Sequence, residues 1–142
     1  MSDDLEAIRR LKASYFRALD SKDWAGLAAV FTDDAEIDMT GEGAGVIHGS
    51  SAFVTYLSDV LGTATTVHHG HMPEIELTSP TTATGIWAME DELWWPAGGP
   101  VRHLHGFGHY HETYRKAPGA DNGGEWRIAT MTLTRLHRQI DS

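Results

Sequence analysis

The residues best suited to chemistry are histidines and carboxylates, and they cluster in the middle of the chain. Of nine histidines in 142 residues, seven lie between Val67 and His111. In the run Val67-His68-His69-Gly70-His71-Met72-Pro73-Glu74-Ile75 two of them are adjacent. On a strand, neighbours point to opposite faces, so at least one of the two faces inward. An imidazole facing an enclosed cavity is a candidate general base, because small environmental shifts bring histidine near working pH. A hydrogen-bonded structural histidine is the competing reading.

The carboxylates follow. Glu90-Asp91-Glu92 interrupts an apolar run from Gly85 to Trp94. Alternation places Asp91 on the face of Trp87 and Met89, and Glu90 and Glu92 on the other. A carboxylate among Trp and Met is costly unless paired, and an imidazole is a natural partner. If that face is instead solvated, Asp91 needs no partner. Tyr15 falls in the apolar stripe of the first segment, and Asp20 at its end, where a turn or cap role competes. Arg135 ends the last long strand, placed to pair with a carboxylate, to bind an anion or to sit at a rim. His69-x-His71, His103-x-His105 and His109-x-His111 have the spacing of metal-binding strands. Three leading helices and the position of Glu74 do not suit a cupin-like site, so no metal is expected.

These groups need elements to hold them. Leu5, Ile8, Leu11, Tyr15, Phe16 and Leu19 recur at helical spacing, with Asp3 and Glu6 as a capping box. Trp24, Leu27, Ala28 and Phe31 predict a second, short helix. A strand is expected around Ile37. Ser50 or Ser51 is the expected cap of a third helix carrying Phe53, Val54, Leu57 and Leu61. Everything after Thr65 reads as strand: 66–78, 82–95, 102–114 and 125–136, joined by Gly/Pro connections at 96–100 and 118–124. Helices first and long strands later indicate α+β, with a curved antiparallel sheet wrapped around N-terminal helices as a cone that encloses a pocket.

Composition excludes other classes. A length of 142 residues suits one domain, here 1–142. Eleven basic and twenty acidic residues give a net charge of −9, which argues against nucleic-acid and anionic-membrane partners. With no cysteine, thiolate nucleophiles, disulfides and Cys-based metal sites are excluded. The acidic start, MSDDLEAIRR, is unlike a secretory signal, so a cytoplasmic protein is expected.

Three motifs together resemble the SnoaL-like branch of the nuclear-transport-factor-2-like superfamily. They are Tyr15-Phe16-Arg17-Ala18-Leu19-Asp20, the run His68-x-Gly70-His71-x-Pro73-Glu74-Ile75, and Thr81-Thr82-Ala83-Thr84-Gly85-x-Trp87-x-x-Glu90-Asp91. The likeness is nearest to bile-acid 7-alpha-dehydratases, with scytalone dehydratase and hexachlorocyclohexane dehydrochlorinase more distant. It implies the cone fold, a buried pocket and a histidine base, with catalytic groups at Tyr15, Asp20, His68, Asp91 and Arg135. The likeness to the dehydrochlorinase pairs the histidine with Asp20. The desolvation of Asp91 among apolar residues favours Asp91 instead.

The expected protein is therefore a cofactor-independent lyase, a dehydratase acting on an apolar cyclic hydroxy-carbonyl compound of steroid-like or polyketide-like type. His68 is the expected base, Tyr15 an oxyanion or leaving-group donor, and Arg135 a holder of a carboxylate or a positive charge near the departing group. Trp87, Phe107, His105 and His109 are the expected substrate contacts. A homo-oligomer, dimer or trimer, is expected from the relatives. A cyclase, a double-bond isomerase and a non-catalytic binding domain are the alternatives.

Overall fold

The apolar stripe of the first segment forms helix α1, Ser2–Asp20, with Ile8, Tyr15, Ala18 and Leu19 buried. The computed structural model describes residues 2–117 and 125–142, so the connection expected at 118–124 lies outside the described residues. Because α1 already begins at Ser2, Asp3 sits within its first turn rather than capping it. Helix α2, Trp24–Ala29, is capped by the Asp23 carboxylate, which accepts from Gly26 N at 3.0 Å. Phe31, expected on that helix, instead opens strand β1, Phe31–Asp38. There it packs edge-on against Phe53 and Tyr15, with ring centroids 5.4 and 5.9 Å apart. Long-range aromatic packing thus overrides a helical spacing.

A single 3-10 turn at Thr40–Glu42 leads to the short strand β2, Val46–His48, and then to helix α3, Ser50–Leu61. The residue capping α3 is Gly49, at φ +93°, rather than Ser50 or Ser51. Only glycine adopts that backbone readily, so the turn from β2 is tighter than a serine cap would allow. The long strands are β3 (Thr65–Ser79), β4 (Thr82–Trp94), β5 (His103–Ala117) and β6 (Glu125–Asp141). β6 runs past the expected end at 136 because it stays paired with β5 as far as His103 and Asp141.

The six strands form one sheet in the order β2-β1-β6-β5-β4-β3. Strands β3 to β6 are an antiparallel meander, and β1 joins β6 in parallel. β2 and β3 are free edges, so the sheet curves without closing. Register shifts in β3 and between β5 and β6 supply local bends. The helices cover the concave face. Contact with α1 is close at Gly70, where a Cβ would come within 2.7 Å of Phe16 and 3.1 Å of Trp87. That proximity brings the end of α1 down onto β3. No helix among the described residues is long and apolar enough to cross a membrane.

One charge lies deep between α1 and the sheet. Lys12 is wholly buried, with Nζ 2.6 Å from Glu112 Oε2 and over the rings of Tyr110 and Tyr15, 3.6 and 3.8 Å from their centroids. Glu112 also accepts from Tyr114 Oη at 2.6 Å, and Tyr114 Oη in turn accepts from Trp87 Nε1 at 2.9 Å. Burial pulls the Lys12 ammonium down to about 8 while Glu112 pulls it back up. Lys12→Met should cost about 3–5 kcal/mol in urea unfolding by leaving Glu112 buried and unpaired. Lys12→Met combined with Glu112→Gln should recover most of that loss.

Candidate active site

The concave face of the sheet and the helices enclose a cavity of about 190 Å³. Its polar wall consists of His68, Asp91, Tyr15, Tyr56, Tyr110, Arg135, Arg138 and Glu42, and the remainder is chiefly leucine, methionine and aromatic side chains. Alternation along the strands selects the inward residues. Along β3, Thr66 and His68 are buried while Val67 and His69 are exposed; along β4, Met89, Asp91 and Leu93 face in.

His68 is 6% exposed and is held through its inner nitrogen. Its Nδ1 lies 2.7 Å from Asp20 Oδ1, and its backbone N–H donates to Asp20 Oδ2 at 2.8 Å. Thr66 Oγ1 donates to Asp20 Oδ1 at 2.8 Å, and Lys22 Nζ donates to Thr66 Oγ1 at 3.0 Å. A carboxylate at the C-terminal end of a helix is disfavoured by the helix dipole, so these donors are what hold Asp20 there. An ionised carboxylate only accepts, so the proton on the imidazole sits on Nδ1 and Nε2 carries a lone pair. Nε2 lies 3.8 Å from Asp91 Oδ2, beyond hydrogen-bond reach.

Asp91 is occupied elsewhere. Arg135 donates to it from Nη1 at 2.7 Å and from Nη2 at 3.0 Å. The same guanidinium donates to Glu42 from Nε and Nη2, both at 3.0 Å. Burial opposes the Arg135 charge, and hydrogen bonds to Asp91 and Glu42 outweigh it, so its pKa is raised. Room for this pairing exists because the residue opposite Asp91 on β5 is Gly106, where a Cβ would overlap the guanidinium and Asp91.

Tyr15 and Tyr110 meet edge to face with centroids 5.8 Å apart. Burial raises the pKa of both phenols, and the nearby carboxylates Asp91 and Glu112 push them the same way. The Tyr15 hydroxyl therefore stays protonated and able to donate a hydrogen bond into the cavity it lines.

Four of the five expected residues, Tyr15, His68, Asp91 and Arg135, thus line one space, with Asp20 behind His68, and two of the expected roles change. The direct partner of His68 is Asp20, not Asp91, because Arg135 takes both oxygens of Asp91. Arg135 does not hold a free carboxylate, since all three of its nitrogens are already engaged by Asp91 and Glu42. The expected substrate contacts Trp87, Phe107, His105 and His109 do not line the cavity. Trp87 faces inward but lies beside Tyr114. Phe107, His105 and His109 fall on the convex face by alternation with Leu104, Gly106, Gly108 and Tyr110. There His105 Nε2 pairs with Glu90 Oε2 at 2.6 Å.

Tyr110, Glu42, Lys12 and Glu112 were not singled out from the sequence. Tyr110 and Glu112 share the alternation of Tyr114, and Lys12 sits three to four residues from Ile8 and Tyr15 on the apolar stripe. A charged residue in register with a buried face was the available signal. Glu42 had none, since it lies in a glycine-rich connection.

The model of the SnoaL-like domain family matches residues 1–132. A probable cyclase of Gibberella zeae is 24% identical over 142 residues, covering 94% of this chain and 91% of its own. A candidate scytalone dehydratase of Novosphingobium aromaticivorans superposes with a TM-score of 0.82 at 23% identity, over 100% of this chain and 93% of its own. A hexachlorocyclohexane dehydrochlorinase does so at 0.81 and 21%, over 99% and 90%. At these identities the two structures establish a shared fold.

Arg135→Met should lower stability by about 3–5 kcal/mol in denaturant unfolding, because Asp91 is then buried without a countercharge and Glu42 keeps only Arg138, at 3.5 Å. Arg135→Lys should rescue little, since an ammonium cannot span two carboxylates as the guanidinium fork does. Gly106→Ala should cost about 1–3 kcal/mol by crowding the same pair.

Proposed function

From a chain that belongs to the SnoaL-like domain family, with an imidazole base facing an enclosed cavity, we propose a cofactor-independent dehydratase. The observation that carries this reading is the Nδ1 contact of His68 with Asp20 at 2.7 Å, which leaves Nε2 as the lone-pair nitrogen. Nε2 takes a proton from the carbon next to a carbonyl, and the electrons of that C–H bond form an enolate. Tyr15, packed edge to face against Tyr110, donates a hydrogen bond to the oxygen as it gains charge. Asp20 holds the tautomer and stabilises the imidazolium. The enolate then expels the β-hydroxyl, the C–O bond breaks, and the imidazolium returns its proton to the departing oxygen as water. One imidazole serving both steps requires the C–H and C–O bonds on the same face of the ring.

The substrate is neutral in this reading. Arg135 is saturated by two carboxylates, and Arg138, the other cation in the wall, pairs with Glu42 at 3.5 Å. Size also constrains it. A cavity of about 190 Å³ is closer to the roughly 150 Å³ that accommodates benzene than to the roughly 300–1,000 Å³ of drug-sized sites. One ring, or two, fits the enclosed space, and a four-ring steroid exceeds it. A double-bond isomerase or a cyclase would use the same base and phenols on a related enolate, and differs in losing no water.

The test is product mass after incubation with one-ring and two-ring cyclic β-hydroxy ketones. Loss of one water supports the dehydratase, and unchanged mass with a shifted spectrum supports the isomerase or cyclase. His68→Gln should abolish turnover. Asp20→Asn should lower it by about 10²–10⁴, because an amide no longer fixes the tautomer. Asp91→Asn should cost less than Asp20→Asn. Normal turnover in Asp20→Asn would overturn the dyad.

A further inference from the structure

Beyond the enclosed cavity, a second concavity lies against the β4–β5 connection. Its lining includes Val60 and Thr63 near the end of α3, and Trp95, Pro96, Val101 and Leu104 from the connection and the start of β5. Thr63 is its only polar side chain. Val60, Trp95 and Leu104 line this groove and the cavity alike, so they form the partition between the two. Trp95 is fixed in that partition: its Nε1 donates to Val60 O at 3.1 Å and its backbone N to Arg102 O at 2.9 Å. With the indole N–H occupied, only apolar ring surface remains for the two spaces. Trp95 follows Asp91 by four residues, which at strand rise separates their Cα atoms by about 13 Å.

We propose that this groove is a second subsite of the same active site, and that it takes the apolar tail of an elongated substrate whose ring reacts at His68. The proposal rests on the functional reading above and adds a substrate class to it: a cyclic hydroxy-carbonyl compound bearing an unbranched alkyl or alkenyl chain. Three observations converge on that occupant. The cavity is too small to enclose more than the reacting ring or ring pair. The groove adjoins it, with three side chains common to both walls. Its wall offers no charge and one hydroxyl, so it gains by burying hydrocarbon and offers little to a polar group. Trp95 is then a specificity-determining residue, since the tail must pass its ring edge.

The experiment titrates the full-length protein with para-alkylphenols from methyl to octyl, following binding by calorimetry and the His68 imidazole by NMR. The phenol ring is the probe for the cavity and the chain is the probe for the groove. Affinity should rise about fourfold for each methylene that reaches the groove. Val101→Glu, on the groove wall and outside the cavity, should erase that increment while leaving the affinity of the shortest phenol unchanged. Val101→Gln, an uncharged second variant, should weaken it. Affinity that stays flat with chain length while the His68 resonances respond overturns the subsite alone. An increment that survives Val101→Glu in full also overturns it. Phenols that leave the His68 resonances unmoved overturn the cavity as the site, and the subsite with it.

Discussion

Arg135 is the countercharge on which the polar wall of the cavity depends. Its guanidinium is shared between Asp91 and Glu42, so two carboxylates from distant parts of the chain are held against one cation. Without that sharing, burying Asp91 at the bottom of an apolar cone would be prohibitively costly. Because the sharing is complete, the arginine is spent on structure. It organises the wall, and in the proposed reaction acid–base work falls to His68 and Tyr15.

A second buried charge has the same character on the other side of the aromatic layer. Lys12 lies beneath Tyr15 and Tyr110, with Glu112 as its counterion, and its ammonium contacts both ring faces. Tyr15 and Tyr110 therefore lie between two ion-paired networks, one below in the core and one beside them at the cavity. Such a layer resists displacement, since moving either ring would strip contacts from a fully desolvated cation. Rigid placement of a donor is what an oxyanion site requires.

The sheet separates its histidines by face. His68 alone among them reaches the cavity, while His69, His71, His103, His105, His109 and His111 lie on the convex side, several beside Glu90, Glu92 or one another. The same period-2 rule produces both sets. An abundance of histidine was therefore no guide to how many would take part in one site.

The sequence by itself determined which residues face inward. Period-2 alternation in β3 and β4 places His68 and Asp91 on the concave face, and helical spacing in α1 places Tyr15 on its buried stripe; these depend only on local backbone geometry. Helices before long strands likewise made the α+β cone legible, whereas Phe31, Gly49 and the short β2 required contacts with other elements. Which carboxylate serves His68 was decided by tertiary structure alone. Asp20 is 48 residues from His68 and Asp91 is 44 from Arg135, and no pattern in the chain reports the distances across those separations. They follow from the close seating of α1 at Gly70 and from the space left by Gly106. Hydrogen bonds act over about 3 Å, so partners are chosen by the final docking of elements whose faces were already set.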